Sequence, residues 1–161
     1  MTIKVGDRIP SVKLKYMGAS GPTEITTDDL FKGKKAVLFG LPGAFTPTCS
    51  AKHVPGFMQH ADELHKKGVA TIGCISVNDA FVMGAWGKDQ GTGDKVMMLA
   101  DGSADFTKAV GLDQDLSAAG LGIRSKRYAM IIDNGVVQWM GVEEAPGKLE
   151  ASSAENVLKH L

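Results

Sequence analysis

An excess of charge of either sign is missing from this chain. Lys+Arg and Asp+Glu are 18 each, so there is no basic excess of the kind that nucleic-acid or membrane-surface binding usually needs. No apolar run approaches the ~20 residues of a membrane-spanning helix. The opening Met-Thr-Ile-Lys-Val-Gly-Asp lacks the basic-then-apolar pattern of a secretory signal, and a cytoplasmic location is expected. Cysteine is scarce, with two in 161 residues. Cys49 and Cys74 cannot build a disulfide scaffold, and they lie too far apart in sequence to be a Cys-x-x-Cys redox pair. The four histidines match no zinc-binding spacing. His60 and His65 would project from different faces of a helix, so neither a metal nor another cofactor is expected.

What is present is ordinary for a globular protein, with 43% hydrophobic and 22% charged residues. These values suit one domain over residues 1–161 with a real core. A net charge of zero also eases self-association.

Periodicity and turn chemistry divide the chain. Residues 1–33 read as an N-terminal extension with a strand at Val12–Tyr16 and a short helix near Thr26–Phe31, with Thr27 as its N-cap. Ala36–Leu41 is a buried central strand. A helix starts at Pro47, runs toward Lys67 and is interrupted at Pro55-Gly56. Val69–Val77 is a second buried strand, followed by a helix from Ala80 capped by Asn78-Asp79. Val96–Ala100 is a third strand, and Ser103–Val110 a helix. Residues 111–123 carry no clear pattern. Tyr128–Asp133, Asn134-Gly135 and Val136–Val142 read as a hairpin, and Ser153 caps a last helix. Two parallel crossovers followed by an antiparallel hairpin predict an α/β, thioredoxin-like fold with a central mixed sheet flanked by helices. Chemistry would then sit where the first central strand feeds its helix.

Cys49 falls at that point. In the first helical turn, N–H groups without intrahelical partners and the positive end of the dipole favour a thiolate, and a nearby arginine would add to this. Such a thiolate can attack a peroxide oxygen and become a sulfenic acid. Thr46, three residues earlier, can accept from a peroxide and donate to the thiolate. Pro42 would shield the sulfur from bulk water. The competing reading of Cys49 is an inert buried cysteine. Cys74 lies in an apolar strand and reads as core. His53, four residues after Cys49, shares its helix face and either supports the pocket or packs there.

Pro42-Gly43-Ala44-Phe45-Thr46-Pro47-Thr48-Cys49-Ser50, followed by His53 and Pro55-Gly56, resembles the peroxidatic motif of peroxiredoxins. The resemblance is to the atypical, type II branch, the peroxiredoxin-five-like subgroup. It continues through Ser76–Val82, Trp86-Gly87 and Arg124–Tyr128, nearly the whole chain. It implies that Cys49 is the peroxidatic cysteine, with Thr46 its hydrogen-bonding threonine, Pro42 its shielding proline and Arg127 its pocket arginine. Arg124 is the alternative arginine. Phe45 and His53 join Thr46 and Arg127 around the substrate, and Phe45, Phe81 and Trp86 resemble rim or dimer-contact aromatics.

The same resemblance implies hydroperoxide substrates, a homodimer and an external thiol reductant. Many relatives resolve the sulfenic acid with a cysteine near the C-terminus, but here Glu150-Ala151-Ser152-Ser153-Ala154 occupies that region. Glutathione or glutaredoxin is therefore the expected reductant, with thioredoxin the alternative. Two other readings stay open: a thiol–disulfide oxidoreductase, and a redox sensor or interaction protein that uses Cys49 as a switch.

Overall fold

A computed structural model describes residues 1–161. Its centre is strand β3 (Lys35–Gly40), buried on both faces because every residue after Lys35 is apolar or glycine. Strands β4 (Thr71–Ser76) and β5 (Met97–Ala100) continue the sheet in parallel on one side of β3. On the other side, β8 (Tyr128–Asp133) and β9 (Val136–Val142) add antiparallel. Asn134 (φ 48) and Gly135 (φ 80) are both left-handed, the geometry of a two-residue type I′ turn.

The N-terminal part does more than extend the fold. Strands β1 (Lys13–Gly18) and β2 (Gly21–Thr26) form a hairpin whose first strand pairs antiparallel with β5. The final order is β2-β1-β5-β4-β3-β8-β9. Sequence patterning missed β2 because Gly21–Thr26 alternates without strong apolar residues. It also left 111–123 blank, yet β6 (Asp113–Asp115) and β7 (Ile123–Ser125) pair there as a small separate ribbon. Three-residue polar strands carry too little periodicity to be read.

Helices cover both faces. Side chains of β3 alternate, so Val37, Phe39 and Leu41 point into one apolar layer while Ala36 and Leu38 point into the other. The first layer holds Cys49 and Cys74 and is covered by α2 (Val54–Gln59), α3 (Ala61–Lys66), α4 (Ala80–Gln90) and α6 (Ala154–Lys159). The second is covered by α1 (Thr27–Phe31), α5 (Asp105–Ala109) and the N-terminal residues Ile3 and Ile9.

Two helix boundaries differ from expectation. The N-cap of α1 is Thr26, whose hydroxyl accepts from the Asp29 N–H. The Thr27 hydroxyl is engaged instead, donating to the Pro10 carbonyl and accepting from the Val12 N–H. The helix from Pro47 does not break at Pro55. Residues Cys49–His53 adopt a wide π turn, with the Val54 N–H reaching the Cys49 carbonyl. Pro55 therefore opens a fresh α turn, where its missing donor costs nothing. The break comes later, at His60 (φ −99, ψ 8), between α2 and α3.

Gly40 ends β3 next to the loop that carries the first motif residues. A Cβ there would collide with the ring of Tyr128, its partner across the strands. Tyr128 is fully buried and cannot swing away without opening the second layer. Gly40→Ala is expected to destabilise the fold by about 1–3 kcal/mol, the usual cost of overpacking. Chemical denaturation checks this, and a wild-type midpoint for the variant would mean that Tyr128 yields freely.

Candidate active site

The peptide from Pro42 to Cys49 leaves the sheet at the carboxyl end of β3, as the topology requires. Phe45 has φ 63, a left-handed conformation that a bulky residue adopts only when its surroundings impose it. The constraint is visible. The Ala44 N–H donates to Asn78 Oδ1 at 3.0 Å, and Ser76 Oγ donates to the same atom at 2.6 Å. Within the loop, Thr46 Oγ1 donates to the Gly43 carbonyl at 2.7 Å. Arg124 Nη1 donates to the Pro42 carbonyl at 3.2 Å while its Nε donates to Leu121. The turn thus hangs between the end of β4 and β7.

Cys49 follows in the opening turn and is fully buried. Arg127 approaches its sulfur from the start of β8, with Nη2 donating to Cys49 Sγ at 3.1 Å. The same guanidinium donates through Nη1 to His53 Nδ1 at 2.9 Å and through Nε to the Pro146 carbonyl at 3.0 Å. His53 Nε2 lies 3.0 Å from the Ser152 carbonyl. A carbonyl only accepts, so Nε2 carries the proton and Nδ1 offers its lone pair to Arg127. His53, Phe39 and Phe57 lie ring against ring, with Phe39 stacked on Phe57 at 4.1 Å.

The electrostatics are unusual for a buried site. Arg127 is 2% exposed, yet none of the ion pairs in the protein includes it. Buried charges are normally paired. The group facing the guanidinium in place of a carboxylate is the sulfur of Cys49, which accepts from Nη2. Burial, then the neighbouring Arg127 charge, hold the His53 imidazole down at about 3 from its usual 6.5, against a smaller opposing pull from the Ser152 carbonyl. Cys74 is the opposite of a reactive thiol. It is fully buried in β4, and burial followed by proximity to Cys49 pushes it well above the ordinary thiol range.

The expected residues therefore converge, with adjustments. Cys49, Arg127 and His53 form one hydrogen-bonded chain, and Pro42 is buried, with its carbonyl held by Arg124. Arg124 touches the loop backbone and not the sulfur. The Thr46 hydroxyl does not donate to Cys49; its proton goes to Gly43, which leaves its lone pairs free to accept. Phe45 stands at the rim, 54% exposed, 6.3 Å from the Trp86 ring. Trp86 is itself buried, and its indole N–H donates to Ser50 Oγ at 3.0 Å, so it braces the Cys49 turn.

Sequence reasoning missed Glu143 and the bracing roles of Asn78 and Ser50. Asn78 read as one half of an Asn78-Asp79 helix cap; Asp79 fills that role, accepting from the Val82 N–H, and Asn78 braces the loop instead. Glu143 gave no signal, being one of two adjacent glutamates after a strand.

A thioredoxin-like sheet with a buried Cys–Arg pair at the carboxyl end of its central strand defines a thiol peroxidase. A family model described as Redoxin matches residues 4–158. Peroxiredoxin-2E of Arabidopsis thaliana, a chloroplastic protein, is 52% identical over 164 residues, covering 99% of this chain and 70% of its own length. Peroxiredoxin-2B of the same plant is 46% identical, covering 99% and 98%. Among solved structures, reduced Prx3 from Vibrio vulnificus in complex with hydrogen peroxide superposes with a TM-score of 0.94 at 50% identity, covering 99% of both chains. The chain belongs to the Redoxin family and is a peroxiredoxin.

The depressed His53 sets a stability window. Unfolded, the imidazole binds its proton near 6.5; folded, it does so only near 3. Between these values the unfolded chain holds the extra proton, so stability falls as pH drops, by up to ~1.4 kcal/mol per pH unit. Urea titrations from pH 7 to 4 are expected to show this slope, and His53→Gln to flatten it. An unchanged slope in that variant would mean that His53 is not held neutral.

Proposed function

We propose that this peroxiredoxin, of the type II branch, reduces hydrogen peroxide and alkyl hydroperoxides through Cys49 and is recycled by glutathione or glutaredoxin. The observation that carries the reading is the 3.1 Å contact between Arg127 Nη2 and Cys49 Sγ, which has no carboxylate competitor.

A guanidinium has five N–H groups. Three are engaged by Pro146, His53 and Cys49, leaving two for a substrate oxygen. The Cys49 thiolate attacks the near oxygen of ROOH, forming the S–O bond as the O–O bond breaks. The departing RO⁻ gains negative charge beside Arg127 and leaves as ROH after taking a proton from solvent. Thr46, whose own proton is committed to Gly43, accepts from the peroxide O–H and so orients it. Such charge-matched donors act where charge develops, which is where they accelerate a reaction most. Pro42, Phe45 and His53 complete the pocket, with His53 acting through Arg127.

The product is Cys49–SOH. One glutathione condenses with it to the mixed disulfide, releasing water; a second thiol, from glutathione or glutaredoxin, regenerates Cys49 and carries away the disulfide. Two observations favour an external thiol. Cys74 is fully buried within a sheet strand and held protonated, and serines occupy positions 152 and 153. A homodimer in the cytoplasm, with Phe45 and Phe81 at the contact, completes the proposal; both rings are more than half exposed.

Parallel turnover assays with glutathione–glutaredoxin and with thioredoxin test the cycle. Cys49→Ser is expected to abolish turnover in both. Cys74→Ser is expected to keep most of the glutaredoxin-supported rate. Turnover with thioredoxin alone, lost in Cys74→Ser, would replace this cycle with an intramolecular disulfide.

A further inference from the structure

Between β9 and α6 the chain makes an excursion, residues 144–152, with no helix or strand. It delivers two backbone acceptors to the site. The Pro146 carbonyl takes the Arg127 Nε–H, and the Ser152 carbonyl takes the His53 Nε2–H. The carbonyls that hold Arg127 and His53 therefore belong to one stretch without regular structure, which needs its own anchor.

That anchor is a buried carboxylate. Glu143 Oε2 accepts from the Ser152 N–H at 2.7 Å, Ser152 Oγ at 2.6 Å and the Glu150 N–H at 2.9 Å. The Glu143 backbone N–H donates to the Arg127 carbonyl at 2.9 Å. One residue thus ties the far end of the excursion to its start, and ties both to the backbone of Arg127. Burial alone would raise the Glu143 carboxyl, but the Ser152 hydroxyl and the surrounding N–H groups outweigh it and hold the group below the usual range. It is an anion when the enzyme works near neutral pH.

We propose that Glu143 is a positioning residue for peroxide attack: it closes residues 144–152 into a strap whose Pro146 and Ser152 carbonyls hold Arg127 and His53 in register with Cys49. The inference rests on the reading of Cys49 as the attacked thiol. Arg127 Nη2 reaches Sγ only in the orientation that Nη1 and Nε share with it, because the guanidinium is planar and rigid. Nη1 needs an acceptor at His53 Nδ1, which exists only while Nε2 keeps the proton. The Ser152 carbonyl enforces that tautomer, and Glu143 places that carbonyl. Without the carboxylate, three donors lose their common acceptor, the strap drifts, and both constraints on the guanidinium relax together.

The test is a double-mutant cycle on the rate of Cys49 oxidation by hydrogen peroxide, measured without reductant by stopped flow. Glu143→Ala is expected to lower the second-order rate constant about tenfold or more, the scale on which a misplaced catalytic group acts. Glu143→Gln keeps an acceptor oxygen and is expected to recover most of the loss. In an Arg127→Ala background, Glu143→Ala should add little, because the guanidinium it positions is gone. Nitrogen NMR of the imidazole at neutral pH supplies a readout that general loosening would not move. Wild type is expected to show the single Nε2–H tautomer at His53, and Glu143→Ala a mixture. If the alanine variant does not fold, Glu143→Asp, which withdraws the charge by one methylene, enters the same cycle. A wild-type rate in the single variant, or an undiminished loss in the Arg127→Ala background, overturns the proposal. If Cys49→Ser leaves peroxide consumption intact, the reading of Cys49 itself fails instead.

Discussion

A guanidinium buried without a carboxylate is the constraint on which the rest of this structure depends. Arg127 is 2% exposed and makes no ion pair. Removing such a charge from water costs several kcal/mol unless something nearby offsets it. The protein surrounds it with neutral acceptors, the Pro146 carbonyl and the His53 lone pair, and points its remaining arm at the sulfur of Cys49. A glutamate in place of His53 would satisfy Arg127 better and would weaken its claim on the sulfur. His53 kept neutral is therefore the more useful neighbour, and burial keeps it so.

The fold exists around that pair in a definite sense. Cys49 comes from the turn after β3, and Arg127 from the entry to β8, the strand antiparallel to β3. Antiparallel pairing puts the start of β8 beside the end of β3, as the Gly40–Tyr128 register records. The contact between the two side chains is thus a direct result of sheet topology. The surrounding braces come from farther away. Asn78 at the end of β4 and Arg124 in β7 hold the loop, Trp86 in α4 holds Ser50, and the strap behind β9 holds Arg127. Cys49 sits in a π turn, where wider hydrogen bonding places Pro55 at a new helical start.

Legibility in the sequence followed the physics of each part. β8, its Asn-Gly turn and β9 read correctly because alternation and turn chemistry are local signals. β3 to β5 read correctly in number and order because buried parallel strands are plain apolar runs. The N-cap of α1 did not, because the Thr27 hydroxyl is taken by Val12 and Pro10, 15 and 17 residues away; nor did the π turn or the β6–β7 ribbon, whose three-residue strands carry too little periodicity. The same division runs through the site. Cys49 and Thr46 were legible from local position, and Arg127 from family resemblance. The resting partner of the Thr46 hydroxyl and the tautomer of His53 depend on backbone carbonyls, and the part played by Glu143 depends on backbone N–H groups, that no side-chain pattern encodes.

Pairing with Arg127 is proposed to make Cys49, and not Cys74, the thiol that a peroxide finds. The most direct measurement is a single turnover with one equivalent of hydrogen peroxide and no reductant, quenched with a sulfenic-acid trap and mapped by mass spectrometry. The expected result is a trapped adduct on Cys49 alone, and a much slower appearance of that adduct in Arg127→Gln. An adduct on Cys74, or an undiminished rate at Cys49 in the variant, would contradict it.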